Sequence, residues 1–322
     1  MRAIVYHNYG SPDVLRCEEI ERPTAGDDEV LIKVRAASVN PLDWHLMRGT
    51  PYVLRMTAGL RKPKATRLGV DVSGQVEAVG RNVTQFTPGD EVFGSCRGAF
   101  AEYACTPESS LVSKPHNVSF EQAASVPVAA FTALQALRDK GRIQPGQMVL
   151  INGAAGGVGT LAVQIAKSFD ADVTGVCSTR NVEMVRSVGA DRVIDYTQED
   201  FTTSGQRYDL IVDCVGNHSL SACRRVLQRR GTYVMIGAPN RRWLGPLVRL
   251  IKTLVLSRFV SQNLVMVFAK GTRDDLTVTR GLLEAGKVTP VIDRRYRLSE
   301  VPEAVRYLEQ GHARGKVVIT VD

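Results

Sequence analysis

The chain has 322 residues, more than one compact core of ordinary size holds, and its 44% hydrophobic and 23% charged residues exclude a disordered, collagenous or small disulfide-stapled protein. With 41 Lys and Arg against 33 Asp and Glu, the formal charge is +8, which favours anions, whether a phosphorylated cofactor, acidic lipid or RNA, without choosing among them. No stretch approaches the ~18 uninterrupted apolar residues of a bilayer span, and the opening MRAIVYHNYG lacks a secretory apolar run, so a cytoplasmic location is expected.

In chain order, the first hundred residues read as short strands over Ala3 to Tyr6, Glu29 to Ala36, Val70 to Val79, Glu91 to Gly94 and Phe100 to Ala104, separated by turn residues such as Pro12, Pro23, Gly80 and Pro88. This pattern predicts a small, mainly antiparallel β domain. From about residue 120 the texture alternates. A helix around 121–139, strand 147–152, helix 158–169, strand 172–177, helix 182–188, strands 192–195 and 209–214, helix 219–229 and strand 231–236 predict βαβ crossovers and a parallel sheet. Strand-like Leu264 to Phe268, a helix over 273–285, the segment Arg297 to Leu308 and a last strand from Lys316 to Val321 follow. The last strand has no place in the α/β unit and is expected to return to the first domain. The basic, apolar segment Arg241 to Arg258 reads as a helix covering the sheet edge or a subunit contact in preference to a membrane-surface helix.

The six cysteines (Cys17, Cys96, Cys105, Cys177, Cys214 and Cys223) form no CxxC pair and no zinc-spaced cluster with histidine, so reduced and mostly buried thiols are expected. The most informative motif is QMVLINGAAGGVG, an apolar strand running into Gly153-x-x-Gly156-x-x-Gly159 and then a helix. Such a turn brings backbone amides and a positive helix N-terminus to a pyrophosphate. The flanking strand and helix supply the context the motif requires for dinucleotide binding. Beyond the second strand stands Cys177-Ser178-Thr179-Arg180-Asn181, where an NAD site typically carries a carboxylate. Hydroxyls and a guanidinium there suit a ribose 2′-phosphate, so NADPH is the expected cofactor.

The chain resembles the medium-chain dehydrogenase/reductases, and within them the zinc-independent quinone oxidoreductase (zeta-crystallin-like) group. The resemblance rests on the glycine motif together with Ala37-Ser-Val-Asn-Pro-Leu-Asp43, Gly69-Val-Asp-Val-Ser-Gly74, Pro88-Gly-Asp-Glu-Val-Phe93, Gly98-Ala-Phe-Ala-Glu-Tyr103 and His312-Ala-Arg-Gly-Lys-Val317, spread from end to end. It implies an α/β protein: a GroES-like, mainly β catalytic domain over 1–120 with a C-terminal return over 270–322, and a doubly wound Rossmann domain over 121–269. Zinc enzymes of the superfamily carry a catalytic cysteine and Gly-His-Glu; here Asn40 stands in the first region and Gly69-Val70-Asp71 in the second, so no zinc is expected.

By resemblance, Gly153, Ala155, Gly156, Gly157, Val158 and Gly159 contact the pyrophosphate, while Ser178, Arg180 and Tyr196 lie at the adenosine phosphate. Thr132, Cys214, Val215 and Phe268 line the nicotinamide and ribose side, and His312, Ala313 and Arg314 form a C-terminal cofactor contact. Without a Lewis acid, acceptors that delocalise the incoming electron pair are favoured, namely quinones and enones. Asn40 is the candidate for polarising the acceptor carbonyl or for positioning the nicotinamide of the cofactor. Tyr52 is the candidate proton donor, with Trp44, Met47, Met56 and Leu60 shaping an apolar pocket. Asp43 is expected to hold a loop, as an exposed carboxylate too acidic for proton transfer at neutral pH. The alternatives are a 2-enoyl thioester reductase, for which Arg55, Arg61, Lys62, Lys64 and Arg67 offer a basic entrance, and an NADPH-binding protein with little catalysis. RNA binding lacks an aromatic-interleaved basic motif. A homodimer, pairing near Leu264 to Phe268, is the family expectation.

Overall fold

The computed structural model describes residues 1–236 and 261–321. The chain divides into two units. One holds Met1–Val128, Gly271–Gly286 and Pro290–Asp322; the other holds Ala129–Lys270 and Lys287–Thr289.

The first unit opens with β1 (Arg2–Val5) and β2 (Arg16–Glu19), paired antiparallel. Then come β3 (Glu29–Val39), α1 (Pro41–Arg48), α2 (Arg55–Ala58), β4 (Asp71–Val79), β5 (Glu91–Ser95), β6 (Tyr103–Pro107), β7 (Leu111–Ser113) and α3 (Phe120–Ala124). Continuing from α4 (Pro127–Leu134), the second unit holds β8 (Met148–Asn152), α5 (Gly157–Ser168), β9 (Asp172–Cys177), α6 (Val182–Ser187), β10 (Arg192–Asp195), β11 (Tyr208–Asp213), α7 (Leu220–Arg225), β12 (Leu227–Met235) and β13 (Asn263–Met266). The return contains α8 (Arg273–Glu284), β14 (Ile292–Arg297), α9 (Val301–Glu309) and β15 (Lys316–Thr320).

In the second unit the strands run parallel in the order β10-β9-β8-β11-β12-β13, the doubly wound arrangement in which the chain reverses direction across the sheet at the first strand. The runs Val149-Leu150-Ile151 and Leu210-Ile211-Val212 are fully buried, as strands covered on both faces require. In the first unit β14-β15-β3-β4-β5-β7 form one sheet, with β6 also paired to β3. The last strand does return here: β15 pairs antiparallel with β3, Val317 opposite Val39 and Thr320 opposite Ala36. A core of Ile4, Val30, Ile32, Val72, Val92, Phe100, Val317 and Ile319 lies within this unit.

Local chemistry moves several predicted boundaries. The helix expected around 121–139 is broken, since Pro127 cannot donate a backbone hydrogen bond and starts a new helix. The helix expected over 219–229 ends at Arg225; Leu227 already pairs with Tyr208 of the neighbouring strand. The strand expected over Phe100 to Ala104 starts at Tyr103, and α1 fills a segment for which no helix was expected. Segment 241–258 lies outside the described residues except for its sequence. Among the described residues no helix is long and apolar enough to cross a membrane.

Candidate active site

The glycine turn joins β8 to α5. Gly153 adopts φ +85°, a region that favours glycine, and its amide donates to the Val176 carbonyl at 3.1 Å. A Cβ on Gly159 would lie 2.1 Å from the Gly153 carbonyl oxygen, and one on Gly153 would lie 2.7 Å from Val215 Cγ2. Gly156 caps α5, a helix of 12 residues, so Gly157, Val158 and Gly159 lie in its first turn, where amides have no partner within the helix. Ala155 is buried beside them. A cradle this tight, at a helix N-terminus, fits a dinucleotide pyrophosphate.

The wall beside the cradle is set by Asp213, which is 1% exposed. Its Oδ1 accepts from Asn152 Nδ2 at 2.9 Å and from the amides of Val215 and Gly216 at 3.0 and 2.7 Å; its Oδ2 accepts from the Tyr233 hydroxyl at 2.5 Å. This network places Cys214 and Val215 beside Gly153. Burial, with the Asp213 charge next to it, pushes the Cys214 thiol upward, so it stays protonated and apolar at neutral pH. Neither Asn152 nor Asp213 was among the sequence candidates. A polar residue at the carboxyl end of each of two apolar strands was the signal.

Across the end of β9, Ser178 is half-buried while Thr179 and Arg180 are exposed. The Tyr196 amide donates to the Cys177 carbonyl at 3.0 Å, and its ring is 56% exposed, an open aromatic face rather than a core residue. The sequence around Arg180 suggests no nearby carboxylate, but strand pairing supplies one: Asp195 lies opposite Cys177. The Thr179 hydroxyl holds it below its ordinary range. Its oxygens also accept from Thr197 N and Oγ1 and from Gln198 Nε2, so this carboxylate is committed to its own loop. Thr132 is buried in α4, and Phe268, past β13, is 76% exposed.

Residues of the first unit behave differently. Asn40, 3% exposed, caps α1, and its amide is engaged on both sides. Its Oδ1 accepts from Lys316 Nζ at 2.6 Å, and its Nδ2 donates to Asp71 Oδ2 at 2.8 Å and to the Ser38 carbonyl at 3.4 Å. The expectation that this amide faces an acceptor carbonyl is therefore corrected: its hydrogens are spent inside the unit. Asp71, fully buried, also accepts from Ser38 Oγ at 2.7 Å, from the Val128 amide at 2.8 Å and from Lys316 Nζ at 3.2 Å. Asp43 does hold the turn, taking the amides of Asn40 and Gly69 at 2.7 and 3.0 Å. It is fully buried rather than exposed, and burial pushes its carboxyl up to about 7.

Tyr52 is 41% exposed, with the Arg55 guanidinium 4.7 Å from its ring centroid. Met56 and Leu60 are exposed, but Met47 is fully buried in the core and cannot line an acceptor pocket. His312 and Arg314 are exposed, and the Arg314 amide donates to Asp293 Oδ2 at 2.9 Å. Lys316 and Asp71 were not sequence candidates; a lysine opening the apolar run Val317 to Ile319 was the legible sign.

The residues do not fit a zinc ion. Where the zinc enzymes have cysteine and histidine stand Asn40 and Val70, and Asp71, next to Val70, already holds the Lys316 ammonium. Such a cation repels a second one. Burial and the Asp71 charge push the nearby Cys96 thiol up, away from the thiolate that binds metal. Among the described residues no group of three or more His, Cys, Asp or Glu side chains is arranged to hold a metal ion. All six cysteines are free thiols, with Cys17 exposed and Cys96, Cys177 and Cys223 buried.

Against this geometry, residues 26–116 match the family described as alcohol dehydrogenase GroES-like domain, and residues 188–319 match that described as zinc-binding dehydrogenase. A Bos taurus protein named "NAD(P)H oxidoreductase RTN4IP1, mitochondrial" is 37% identical, over 100% of this chain and 89% of its own length. An Arabidopsis thaliana "NADPH-dependent alkenal/one oxidoreductase, chloroplastic" is 34% identical, over 99% of this chain and 79% of its own. The solved quinone oxidoreductase of Coxiella burnetii superposes with a TM-score of 0.87 at 32% identity, over 100% of this chain and 99% of that one.

Proposed function

The chain belongs to the medium-chain dehydrogenase/reductase family, in its quinone oxidoreductase group, and from that premise we propose an NADPH-dependent reductase of quinones and α,β-unsaturated carbonyl compounds. The observation that carries the reading is the closed cradle, in which Gly159 packs against the Gly153 carbonyl with no room for a Cβ. When bound, NADPH supplies the hydride. Gly157, Val158 and Gly159 hold its pyrophosphate by their amides, and Ser178 and Arg180 hold the 2′-phosphate, with Tyr196 packed there. Thr132, Cys214, Val215 and Phe268 shape the nicotinamide side; His312, Ala313 and Arg314 are proposed as cofactor contacts on the resemblance alone.

The acceptor class follows from charge. Reducing an unactivated ketone concentrates charge on one oxygen, which calls for a Lewis acid. The donor set around Asp71 is occupied by Lys316 and offers none. A quinone or enone spreads the incoming pair over a conjugated system, so orientation and exclusion of water suffice. Tyr52, exposed and flanked by Arg55, gives the proton that completes the reduction. Asn40 serves by fixing the turn into α1. Six free thiols suit the reducing cytoplasm, and β13, which among the described residues pairs only with β12, offers the edge for a homodimer.

A thioester reductase is the second reading, favoured by the exposed Arg61, Lys62 and Lys64. One assay separates the readings: NADPH or NADH oxidation with 9,10-phenanthrenequinone, an enone and crotonyl thioester. The proposal expects NADPH-dependent turnover of the quinone or enone at rates well above the thioester. Preference for the thioester supports the second reading, and tight NADPH binding with no turnover of any acceptor contradicts both.

A further inference from the structure

In the second unit, four guanidiniums converge at the sheet end opposite the glycine turn. A pocket of about 430 Å³ is lined by Arg207, Ser221, Arg224, Arg225, Arg229, Ser261 and Gln262. Arg207 immediately precedes β11, Arg224 and Arg225 end α7, Arg229 is the third residue of β12, and Gln262 immediately precedes β13. These are the amino ends of parallel strands, whereas the glycine turn follows the carboxyl end of β8.

The walls are built. Gln262 Oε1 accepts from Arg224 Nε at 2.8 Å, and its Nε2 donates to the carbonyls of Arg224 and Leu227 at 3.0 and 3.2 Å. Ser261 Oγ donates to the Arg229 carbonyl at 2.7 Å. Basic residues in the last turn of a helix complement its dipole, which accounts for Arg224 and Arg225 but not for Arg207 and Arg229 from other elements. No carboxylate lines the pocket among the described residues; Asp200 lies near Arg225 and His218, and it already takes the Thr202 amide.

The sequence carries a second, independent sign. Between Asp213 and Asp274 there is no Asp or Glu: residues 214–273 hold 60 residues with 11 Lys and Arg, more than the +8 of the whole chain. The excess charge is thus concentrated here, and no acidic side chain of the same stretch neutralises Arg224, Arg225 and Arg229. Guanidinium forks with serine hydroxyls beside them match the oxygens of a phosphate group. The volume exceeds that of a single ion and falls within the roughly 300–1,000 Å³ of small-molecule sites.

We propose that this pocket is a second anion site, separate from the cofactor, that binds the phosphate group of a phosphorylated small molecule or of a lipid headgroup. The test uses the whole chain saturated with NADP⁺, so that the cradle is filled. Pyrophosphate is titrated calorimetrically at constant ionic strength, and cosedimentation with phosphatidylglycerol vesicles is compared with phosphatidylcholine vesicles. Arg207→Gln/Arg229→Gln is the variant; both side chains are exposed and remote from the cradle, and its NADP⁺ affinity and melting temperature check that it folds. The expected result is binding of pyrophosphate, of the anionic vesicles, or of both, weakened about tenfold or more in the variant, as loss of charged hydrogen bonds implies. Pyrophosphate binding assigns a soluble ligand, and vesicle binding alone assigns a headgroup. Equal binding by parent and variant in both arms, no binding in either, or binding of a single-stranded oligonucleotide alone would overturn the proposal.

Discussion

The cradle around Gly153 and the cluster around Lys316 are built on opposite principles. The first is made of backbone and missing side chains: Gly159 stands where any Cβ would meet a carbonyl oxygen at 2.1 Å. The second is made of long polar side chains sealed from water, with Lys316, Asp71 and Asn40 each no more than 5% exposed. A cradle of backbone fails when atoms are added. A buried charge network fails when an atom is removed, because the surviving partner keeps its desolvation cost without its counter-charge.

The largest effect is therefore expected from Lys316→Met, which strands Asp71 and Asp43. The loss should be roughly 3–5 kcal/mol in denaturant unfolding, the range for breaking a buried pair. Its pH dependence sharpens the comparison. Burial already raises Asp43 from 3.8 to about 7, so the folded state binds the proton more tightly than the unfolded one. Stability from that group is full below the ordinary value and declines as pH rises through the folded value. Removing the ammonium takes away a charge that lowers the Asp43 value, and the variant's deficit should widen between pH 5 and pH 8. A deficit that is flat or narrows over that range would mean that Lys316 does not balance these charges.

Gly159→Ala comes next. Overpacking of this kind costs about 1–3 kcal/mol, and here the strain falls on the loop that grips pyrophosphate, so NADPH affinity should drop more than unfolding stability does. Arg180→Gln should be smaller and selective. About tenfold weaker NADPH binding with unchanged NADH binding is the order expected for one lost charge-assisted contact, read by fluorescence titration. Equal loss for both cofactors would place the 2′-phosphate elsewhere. Gly156→Ala is the smallest: its φ is −82°, and a Cβ there would meet only the Gly153 oxygen at 3.5 Å. Its folding stability should change by about 0.5 kcal/mol or less, showing that not every glycine of the motif is held by the fold.

This contrast also explains what could be read from sequence. The cradle is local: strand, turn and helix are contiguous, and the spacing of Gly153, Gly156 and Gly159 carries the geometry. The alternating pattern after residue 120 likewise forecast the parallel sheet, and a terminal strand without a partner forecast the pairing of β15 with β3. The cluster is not local. Asn40, Asp71 and Lys316 meet only because β15 lies beside β3 and β3 beside β4, so the sequence offered Asn40 as a lone donor and hid the partners that consume its amide. Asp195 escaped notice for the same reason, reaching Cys177 across a strand pair. Met47 looked like a pocket residue because a helix turn decides which of several apolar side chains is buried, and that helix was not foreseen.

In the proposed reaction NADPH gives its hydride to a conjugated acceptor without zinc, with Lys316 holding the Asp71 carboxylate. The most direct measurement is NADPH-dependent reduction of 9,10-phenanthrenequinone by protein dialysed against a strong chelator, with zinc content determined on the same sample. Full turnover at substoichiometric zinc, with no gain on adding zinc, is the expected result. Activity lost on chelation and restored by stoichiometric zinc would contradict it.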